Sequence, residues 1–542
     1  MSRTTISERG EVRRPEDGED GGTAYGGRLP RALRGVSFVV AVCAGALLSV
    51  GAFLGVYVRP TSDDWCALWK ARDMGVLGIT ADFYRTQNGR VTNAFLTGLL
   101  YSEDMRGPKL LPAFLVVALA AGLFLLAREA LRALRLPFPP AATAAAVLVL
   151  EALLLFAGTR PYQALLWAPA TVSHTVPSIL GVWAVLSAVW AARSRWRWAR
   201  STAVGSAVVF GTAAGTLSEP FVAMSGLIAA AAGVLCLPRL GLTRDRYAST
   251  WCAAWCLGLV AGLVVLSTSP GARWRRSQQP ERPLSLSELG ATLRDWNRIW
   301  ETIGGQWAYA GALAVGVLVG LAVAFPDRRS SPREAADRPP RGTFLAAAVL
   351  PVPLIALGSL VATYGLRGGY GAGGWTYARA WTSFLVAFLI ALCGYGAWLG
   401  HRLGRWLAAR PAPTDIHPTS PGTRPASPGA HPTPAGARPA PRGVRAARCA
   451  ALVAAGAVAV AGTAALVPTV RTLTTQTVAR SLAWDRQDAR IRAEAAAGRT
   501  DVTYRPLLIG GLAEPFFTKV YARDWAARCT AAYYGVDRLS RP

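Results

Sequence analysis

Two adjacent carboxylates follow the first long apolar segment of the chain, in the sequence Arg59-Pro60-Thr61-Ser62-Asp63-Asp64-Trp65. Adjacent carboxylates in such a place repel each other, so one of them keeps a raised pKa or shares a cation. A carboxylate held in this way can take a proton from an acceptor hydroxyl. Asp63 and Asp64 are therefore the candidate catalytic residues, and a solvated loop with an incidental acidic pair is the alternative.

A set of arginines follows later apolar segments. Guanidinium groups bind phosphate oxygens through two parallel hydrogen bonds, so a lipid phosphate is their natural partner. Contact with ordinary anionic headgroups is the other interpretation. The candidate phosphate-binding residues lie in Ser269-Pro-Gly-Ala-Arg-Trp-Arg-Arg276, before the glycine-rich stretch 368–374, and just inside the next apolar segment; they are Arg273, Arg275, Arg276, Arg367 and Arg379.

Several other polar residues lie at the same ends of apolar segments. The site-lining candidates are Asn88 and Arg90 in Gln87-Asn88-Gly89-Arg90, together with Trp65, His174 and Glu219. Arg90 has three open roles, which are phosphate binding, an ion pair with either aspartate, or a purely structural ion pair. Glu151 lies within an apolar segment, where an ionisable group faces a cavity or a partner.

The apolar residues define the class of protein. Of 542 residues, 52% are hydrophobic and 16% are charged, with a net charge of +27. They form blocks of about 17–25 residues with almost no charge, which is the pattern of membrane spans. Eleven spans are predicted, at about 35–58, 109–127, 138–158, 174–192, 201–218, 220–238, 251–267, 306–325, 343–364, 377–400 and 447–468.

The distribution of arginine predicts the orientation of the chain. With the N-terminus inside, the inner segments hold 30 arginines against 12 acidic residues. The positive-inside rule then places the N-terminus in the cytoplasm and the C-terminus outside a multi-pass plasma membrane protein. Because this charge orients helices in the bilayer, it does not indicate nucleic acid.

This topology divides the chain into five parts. Residues 1–34 are a disordered cytoplasmic N-terminus, 35–400 are the transmembrane domain, 401–446 are a proline-rich cytoplasmic linker, 447–468 are the last span, and 469–542 are an extracytoplasmic domain. The outer loops 59–108 and 268–305 have the aromatic and amphipathic patterns of interfacial helices. The C-terminal domain is predicted to be a small α/β unit that caps the site or braces the fold.

The cysteines predict one disulfide. Only Cys66 and Cys529 fall outside the spans and their inner ends. Because the outer face is oxidising, a bridge between the Asp-Asp loop and the C-terminal domain is expected. No Cys or His spacing typical of a metal site occurs.

The acidic pair after span 1, the interfacial helices, the eleven spans and the outer arginines resemble the GT-C superfamily of glycosyltransferases. The Ser-Asp-Asp-Trp, Asn-Gly-Arg, Ser-Pro-Gly-x-x-x-Arg and terminal Tyr-Tyr-Gly sequences are similar to those of polytopic actinobacterial membrane proteins. The resemblance implies that Asp63 or Asp64 is the base or helps to bind the acceptor or a metal, such as Mg or Mn. The arginines would hold the phosphate of a polyprenyl-phosphate sugar.

The expected function is inverting transfer of a sugar from a polyprenyl-phosphate donor to a glycan, lipid or protein of the cell envelope, at the outer face of the bilayer. Nucleotide sugars are absent outside the cell, so a transferase on that face needs a lipid-linked donor. Two other functions stay open. One is a transporter or flippase of a lipid-linked or anionic solute, and the other is a non-enzymatic envelope assembly protein.

Overall fold

The computed structural model describes residues 28–237, 245–278, 285–325, 348–409, 442–510 and 520–542. Most of the predicted segments 1–34 and 401–446 therefore lie outside the described residues. Seven helical stretches among the described residues are long and apolar enough to cross a membrane; they are Arg31–Tyr57, Arg106–Ala133, Ala168–Arg193, Arg246–Thr268, Trp307–Ala324, Ala378–Leu407 and Ala446–Ala496.

The described chain is almost entirely helical. In chain order the α-helices are α1 Arg28–Phe53, α2 Asp63–Asp82, α3 Val91–Tyr101, α4 Arg106–Ala133, α5 Pro140–Phe156, α6 Ala168–Arg193, α7 Arg197–Gly215, α8 Glu219–Leu235, α9 Arg246–Thr268, α10 Pro270–Ser277, α11 Leu286–Gly304, α12 Ala310–Ala324, α13 Pro351–Tyr370, α14 Thr382–Ala409, α15 Arg442–Ala464, α16 Val467–Ala496 and α17 Trp525–Tyr534. Two short strands are β1 Asp501–Thr503 and β2 Arg538–Ser540.

Each of the eleven apolar segments overlaps one of these helices. Four of them, α5, α7, α8 and α13, are shorter or less apolar than the seven above. Helix boundaries differ from the hydropathy pattern, since α1 begins at Arg28 and α13 continues to Tyr370. At the start of α1, arginine, leucine and alanine all favour helix, so this helix begins before the apolar run does.

Glycines facing each other bring two pairs of helices together. Gly211 and Gly215 of α7 meet Gly258 and Gly262 of α9. On α12 and α14, glycines spaced by four residues likewise contact the opposite backbone; they are Gly316, Gly320, Gly396 and Gly400. Small residues at this spacing let two helices pack backbone to backbone where lipid removes the hydrophobic drive. The order of the contacts shows that each pair of helices is parallel.

The exposed sides of the helices in the bundle are apolar. Phe38, Phe114, Val117, Leu257 and Val453 are all more than 60% exposed although they lie on the most apolar helices. A bundle surface covered by such side chains faces acyl chains and not water. The chain is therefore an all-α protein built for a membrane.

The C-terminal domain docks on α2 through aromatic residues. Trp65 is fully buried, and its ring contacts those of Trp484, Tyr504, Tyr533 and Tyr534. The strands β1 and β2 pair in parallel beside this cluster. The sequence from Asp501 to Leu508 predicts a strand, of which Asp501–Thr503 forms β1, and β2 was not predicted from the sequence.

A disulfide reinforces this contact. Cys66 of α2 is bonded to Cys529 of α17, with the two Cα atoms 4.8 Å apart. The bridge predicted from cysteine placement is therefore present. Residues 511–519 lie outside the described residues. They include most of the sequence from Ala513 to Trp525 in the predicted C-terminal domain.

Candidate active site

Asp63 and Asp64 begin helix α2 and point to different sides of it. Successive residues of a helix are rotated by about 100°, so adjacent side chains cannot share one environment. Ser62 precedes them with φ of 49°, in the region disfavoured for residues with a Cβ. This sharp turn ends the extended segment after α1 and lets α2 start directly on the acidic pair.

Asp64 faces the protein interior. One carboxylate oxygen accepts the Thr61 backbone N–H at 2.9 Å, and the other accepts the hydroxyl of Tyr101 on α3. Burial raises the pKa of Asp64 to about 7, although these hydrogen bonds act in the opposite direction. Both oxygens are engaged, so Asp64 is suited to hold the start of α2 and Asp63 in place.

Asp63 is half-buried and faces a group of positive charges. Three guanidinium groups act on its carboxylate, those of Arg379, Arg275 and Arg90. Burial nevertheless raises the pKa of Asp63 above its ordinary value of 3.8. No hydrogen bond to the Asp63 carboxylate comes from the described parts of the chain, so this oxygen pair is free to receive a proton.

Two sequence motifs pack tightly to place two of these arginines. Gly89, with φ of +70°, lies against the junction of α9 and α10, where a Cβ would come within 2.5 Å of the Leu266 carbonyl oxygen and closer still to Ser269 Oγ. In return, a Cβ on Gly271 would lie 2.5 Å from the Gln87 backbone nitrogen. The glycines therefore allow the Asn-Gly-Arg and Ser-Pro-Gly segments to meet, as neither could with a larger residue.

Arg90 is bound to Glu219, the first residue of α8. Its Nη2 donates to both carboxylate oxygens, at 2.8 and 3.1 Å. The Glu219 charge is the main cause of a raised pKa for Arg90. Arg275 also acts on Glu219, so this carboxylate links two arginines of the site. Of the open roles for Arg90, the structure contains an ion pair, and its partner is Glu219 and not an aspartate of the pair.

Arg379 lies in the short 3-10 turn just before α14, among aromatic rings. Its Nη1 donates to Gln163 Oε1 at 3.1 Å, and its guanidinium lies 5.2 Å from the Trp167 ring and 5.0 Å from the Tyr377 ring. The charges of both Arg379 and Arg90 act on His174. Six helix ends and loops thus bring Asp63, Arg90, His174, Glu219, Arg275 and Arg379 to one end of the bundle.

Several buried polar atoms around this cluster have no hydrogen-bond partner among the described residues. They are Arg90 Nε, Gln163 Nε2, Trp167 Nε1, His174 Nδ1 and Ser218 Oγ. Unsatisfied buried polar atoms are rare in proteins and are costly, so a concentration of them marks a functional site. Gln163 and Tyr377 were not predicted from sequence. The one available signal was a glutamine within the otherwise apolar run before Trp167.

Other predicted site residues lie elsewhere. Arg367 forms ion pairs with Glu288 and Asp295 of α11, at 2.6 and 2.7 Å, and does not join the cluster. Trp65 is in the core of the C-terminal domain contact, and Asn88 accepts the Arg90 backbone N–H within its own turn. Of the remaining arginines, Arg273 is exposed on α10, and Arg276 donates to the Ser267 carbonyl oxygen at 2.7 Å.

The donor set does not fit a divalent cation. Mg and Mn need several oxygen ligands from carboxylates, carbonyls or water. Both Asp64 oxygens are already engaged, and Asp63 faces three arginines that would repel a cation. Within the described ranges, no group of three or more His, Cys, Asp or Glu residues could hold a metal ion. The cluster is suited to an anion.

No family model, curated protein or solved structure matches the chain. The fold and the cluster therefore define its class by themselves. It is an all-α membrane protein with a polar, arginine-rich site at one end of its helical bundle.

Proposed function

We propose that the protein is a GT-C-like glycosyltransferase that moves a sugar from a polyprenyl-phosphate donor to a cell-envelope acceptor at the outer membrane face. One observation carries the proposal. The Asp63 carboxylate has no hydrogen-bond partner among the described residues, and the charges of three arginines act on it. The combination provides one base and several cations at a membrane surface. That is what transfer from a lipid phosphate requires.

In the proposed reaction, the acceptor hydroxyl oxygen forms a bond to the anomeric carbon as the bond from that carbon to the phosphate oxygen breaks. Asp63 takes the hydroxyl proton. The electron pair leaves with the lipid phosphate, whose growing charge is stabilised by Arg379 and Arg275. Direct displacement inverts the anomeric centre. Because the base must be ionised, activity rises with pH through the raised pKa of Asp63.

An apolar groove supports a lipid-linked donor. It has a volume of about 330 Å³ and lies between α13 and α14 under the amphipathic helix α11; it is lined by Trp296, Trp300, Val352, Ile355, Ala356, Phe388, Ala391, Leu392 and Tyr395. Such a lining is suited to an isoprenoid chain, and it contains no charged group that would bind a phosphate. The indole N–H groups of Trp296 and Trp300 are both bound to Ser359 Oγ, which leaves their apolar faces toward the groove.

The positions of the helix ends support the proposed eleven spans, and the arginine distribution supports the cytoplasmic N-terminus. α6 begins near the cluster with His174 and ends at Arg193, and α7 returns from there to Glu219 at the cluster. α8 then leaves the cluster, and α9 comes back to it at Ser269. The α7–α9 pair is parallel, so α7 covers the same depth as a helix long enough to span.

The decisive experiment measures release of polyprenyl phosphate by the purified protein in nanodiscs supplied with polyprenyl-phosphate sugars and envelope acceptors. We expect Asp63→Asn to slow release by at least tenfold, within the range for loss of a general base. Asp73→Asn is the matched control, because Asp73 is exposed on the same helix and its ion pair is with the neighbouring Arg72. Equal release rates for both variants and the wild type would show that Asp63 is not the catalytic base.

Transport of a lipid-linked or anionic solute is the second candidate, and Glu151 favours it. Both oxygens of this buried carboxyl lack a hydrogen-bond partner within the described residues, and Glu151 lies inside α5. Such a group is typical of ion or proton pathways in membranes. Movement of intact lipid-linked sugar across the bilayer, without release of polyprenyl phosphate and with sensitivity to Glu151→Gln, would select transport.

A further inference from the structure

A second cleft lies at the opposite end of the bundle from the Asp63 cluster. It is formed where α4 and α6 end and α7 begins, and its volume is about 700 Å³. α6 has 26 residues, which places Arg193 roughly 39 Å along the helix from its start near the cluster. A span of this length separates the two leaflets, so the cleft is distinct from the proposed transferase site.

The cleft is lined by three exposed tryptophans. Trp190, Trp196 and Trp198 are 74%, 53% and 65% exposed, although each is a large apolar side chain. Tryptophan concentrates at the border between acyl chains and headgroups, where its ring is in contact with both. Ala191 and Ala203 complete an apolar wall deeper in the cleft.

Positive charge is in excess in the cleft. Its lining contains three arginines and one glutamate, which leaves a net charge of +2. The two oxygens of Glu129 hold Arg132 and Arg193, each at 2.8 Å. Arg195 has no acidic partner among the described residues, and its guanidinium lies 5.2 Å from the Trp196 ring. The charge of Arg195 is therefore not neutralised by a described acidic residue, and Arg132 and Arg193 are held beside it by Glu129.

We infer that this cleft binds the phosphate headgroup of an anionic membrane lipid. The volume is within the range of small-ligand sites. Basic pockets between helix ends at the cytoplasmic side attract such headgroups. The apolar wall and the exposed tryptophans favour a phosphate that carries acyl chains over a free phosphate, which would gain nothing from them. Hydroxyl groups of Ser187, Thr202 and Ser206 line the same cleft and are suited to the glycerol.

The test uses the full protein in phosphatidylcholine nanodiscs that contain a minor fraction of phosphatidylglycerol, followed by native mass spectrometry of retained lipid. We expect preferential retention of phosphatidylglycerol by the wild type. Arg195→Gln should reduce that retention about fivefold, the effect of one basic residue near an anionic headgroup. Glu129→Gln should increase it, because it releases two arginines toward the phosphate.

Arg402→Gln is the matched control. Arg402 also stacks on a tryptophan, with its guanidinium 4.8 Å from the Trp398 ring, but it lies on α14 outside the cleft. It should leave retention unchanged. If Arg195→Gln does not fold, the headgroup preference of the wild type and the response to Glu129→Gln decide the question. Equal retention of both lipids, an equal effect of the control, or displacement by glycerol phosphate as effective as by phosphatidylglycerol would each overturn the proposal.

Discussion

Replacement of Asp64 by asparagine should change how the stability of the protein depends on pH. In the folded protein the pKa of Asp64 is about 7, against an ordinary value of 3.8. Between these values the folded state binds a proton that the unfolded state has lost, so wild-type stability falls as pH rises from about 4 to 7. Asparagine cannot ionise, and its buried amide carries no charge at any pH.

The magnitude follows from the pKa difference. Each unit corresponds to about 1.36 kcal/mol, so the complete shift costs the wild type on the order of 4 kcal/mol at high pH. Between pH 5 and pH 7 the variant should gain about 2 kcal/mol relative to the wild type. At about 2 °C per kcal/mol for a large domain, the difference in Tm between the two proteins should move by about 4 °C.

Thermal unfolding in detergent from pH 5 to pH 8 measures this difference. The asparagine side chain has one acceptor oxygen in place of two, so it cannot accept both the Thr61 N–H and the Tyr101 hydroxyl, which lowers stability by a constant amount of about 1–3 kcal/mol. Only the slope with pH is therefore diagnostic. Asp73→Asn, on the same helix, should change the slope only in the acidic range, because its pKa lies below the ordinary value beside Arg72. Parallel curves for Asp64→Asn and the wild type would refute the buried, proton-binding role of Asp64.

Three further predictions concern positioning and stability. Gly89→Ala should lower both Tm and transfer, since it combines a steric overlap with positive φ. Gly75→Ala, with φ of 67° and ψ of 178° but open space around the new Cβ, should cost about 1–3 kcal/mol of backbone strain alone. Melting curves of the two variants separate steric overlap from backbone strain. Cys529→Ser should destabilise by about 2–4 kcal/mol and abolish the response of Tm to reductant, and a preserved response would contradict it. Arg379→Ala should slow transfer at least tenfold through loss of phosphate binding, while Arg367→Ala should mainly lower Tm. Equal transfer rates in the two variants would argue against a phosphate-binding role for Arg379 and a structural role for Arg367.

Much of the helical arrangement was predictable from hydropathy. Spans are the longest apolar segments in the chain, and a helix satisfies its backbone polar groups within its own segment, as a bilayer requires. The cysteine pairing was predictable because only Cys66 and Cys529 fall outside the predicted spans and their predicted inner ends. The site was predictable in part, since polar residues at the same end of several helices are rare enough to be noticed.

The remaining features depended on contacts between distant segments. Hydropathy cannot distinguish Arg367 from Arg379, because both lie near the end of an apolar helix. Packing separates them, since α11 presents Glu288 and Asp295 to Arg367, while the charge of Arg379 acts on Asp63. Such a pairing depends on the rotation of one helix against another, which a single sequence does not encode in any local pattern.

By itself, the sequence determined that this chain is a membrane-embedded helical protein with a polar end, because transfer of apolar surface to lipid depends only on composition and period. The tertiary structure decided which polar residues form the site. It turned Asp63 toward the arginines and Asp64 toward Tyr101, and it placed Trp65 in the C-terminal domain contact. The reason is geometric, since neighbours on a helix differ by about 100° in direction and only packing determines which direction faces the cluster.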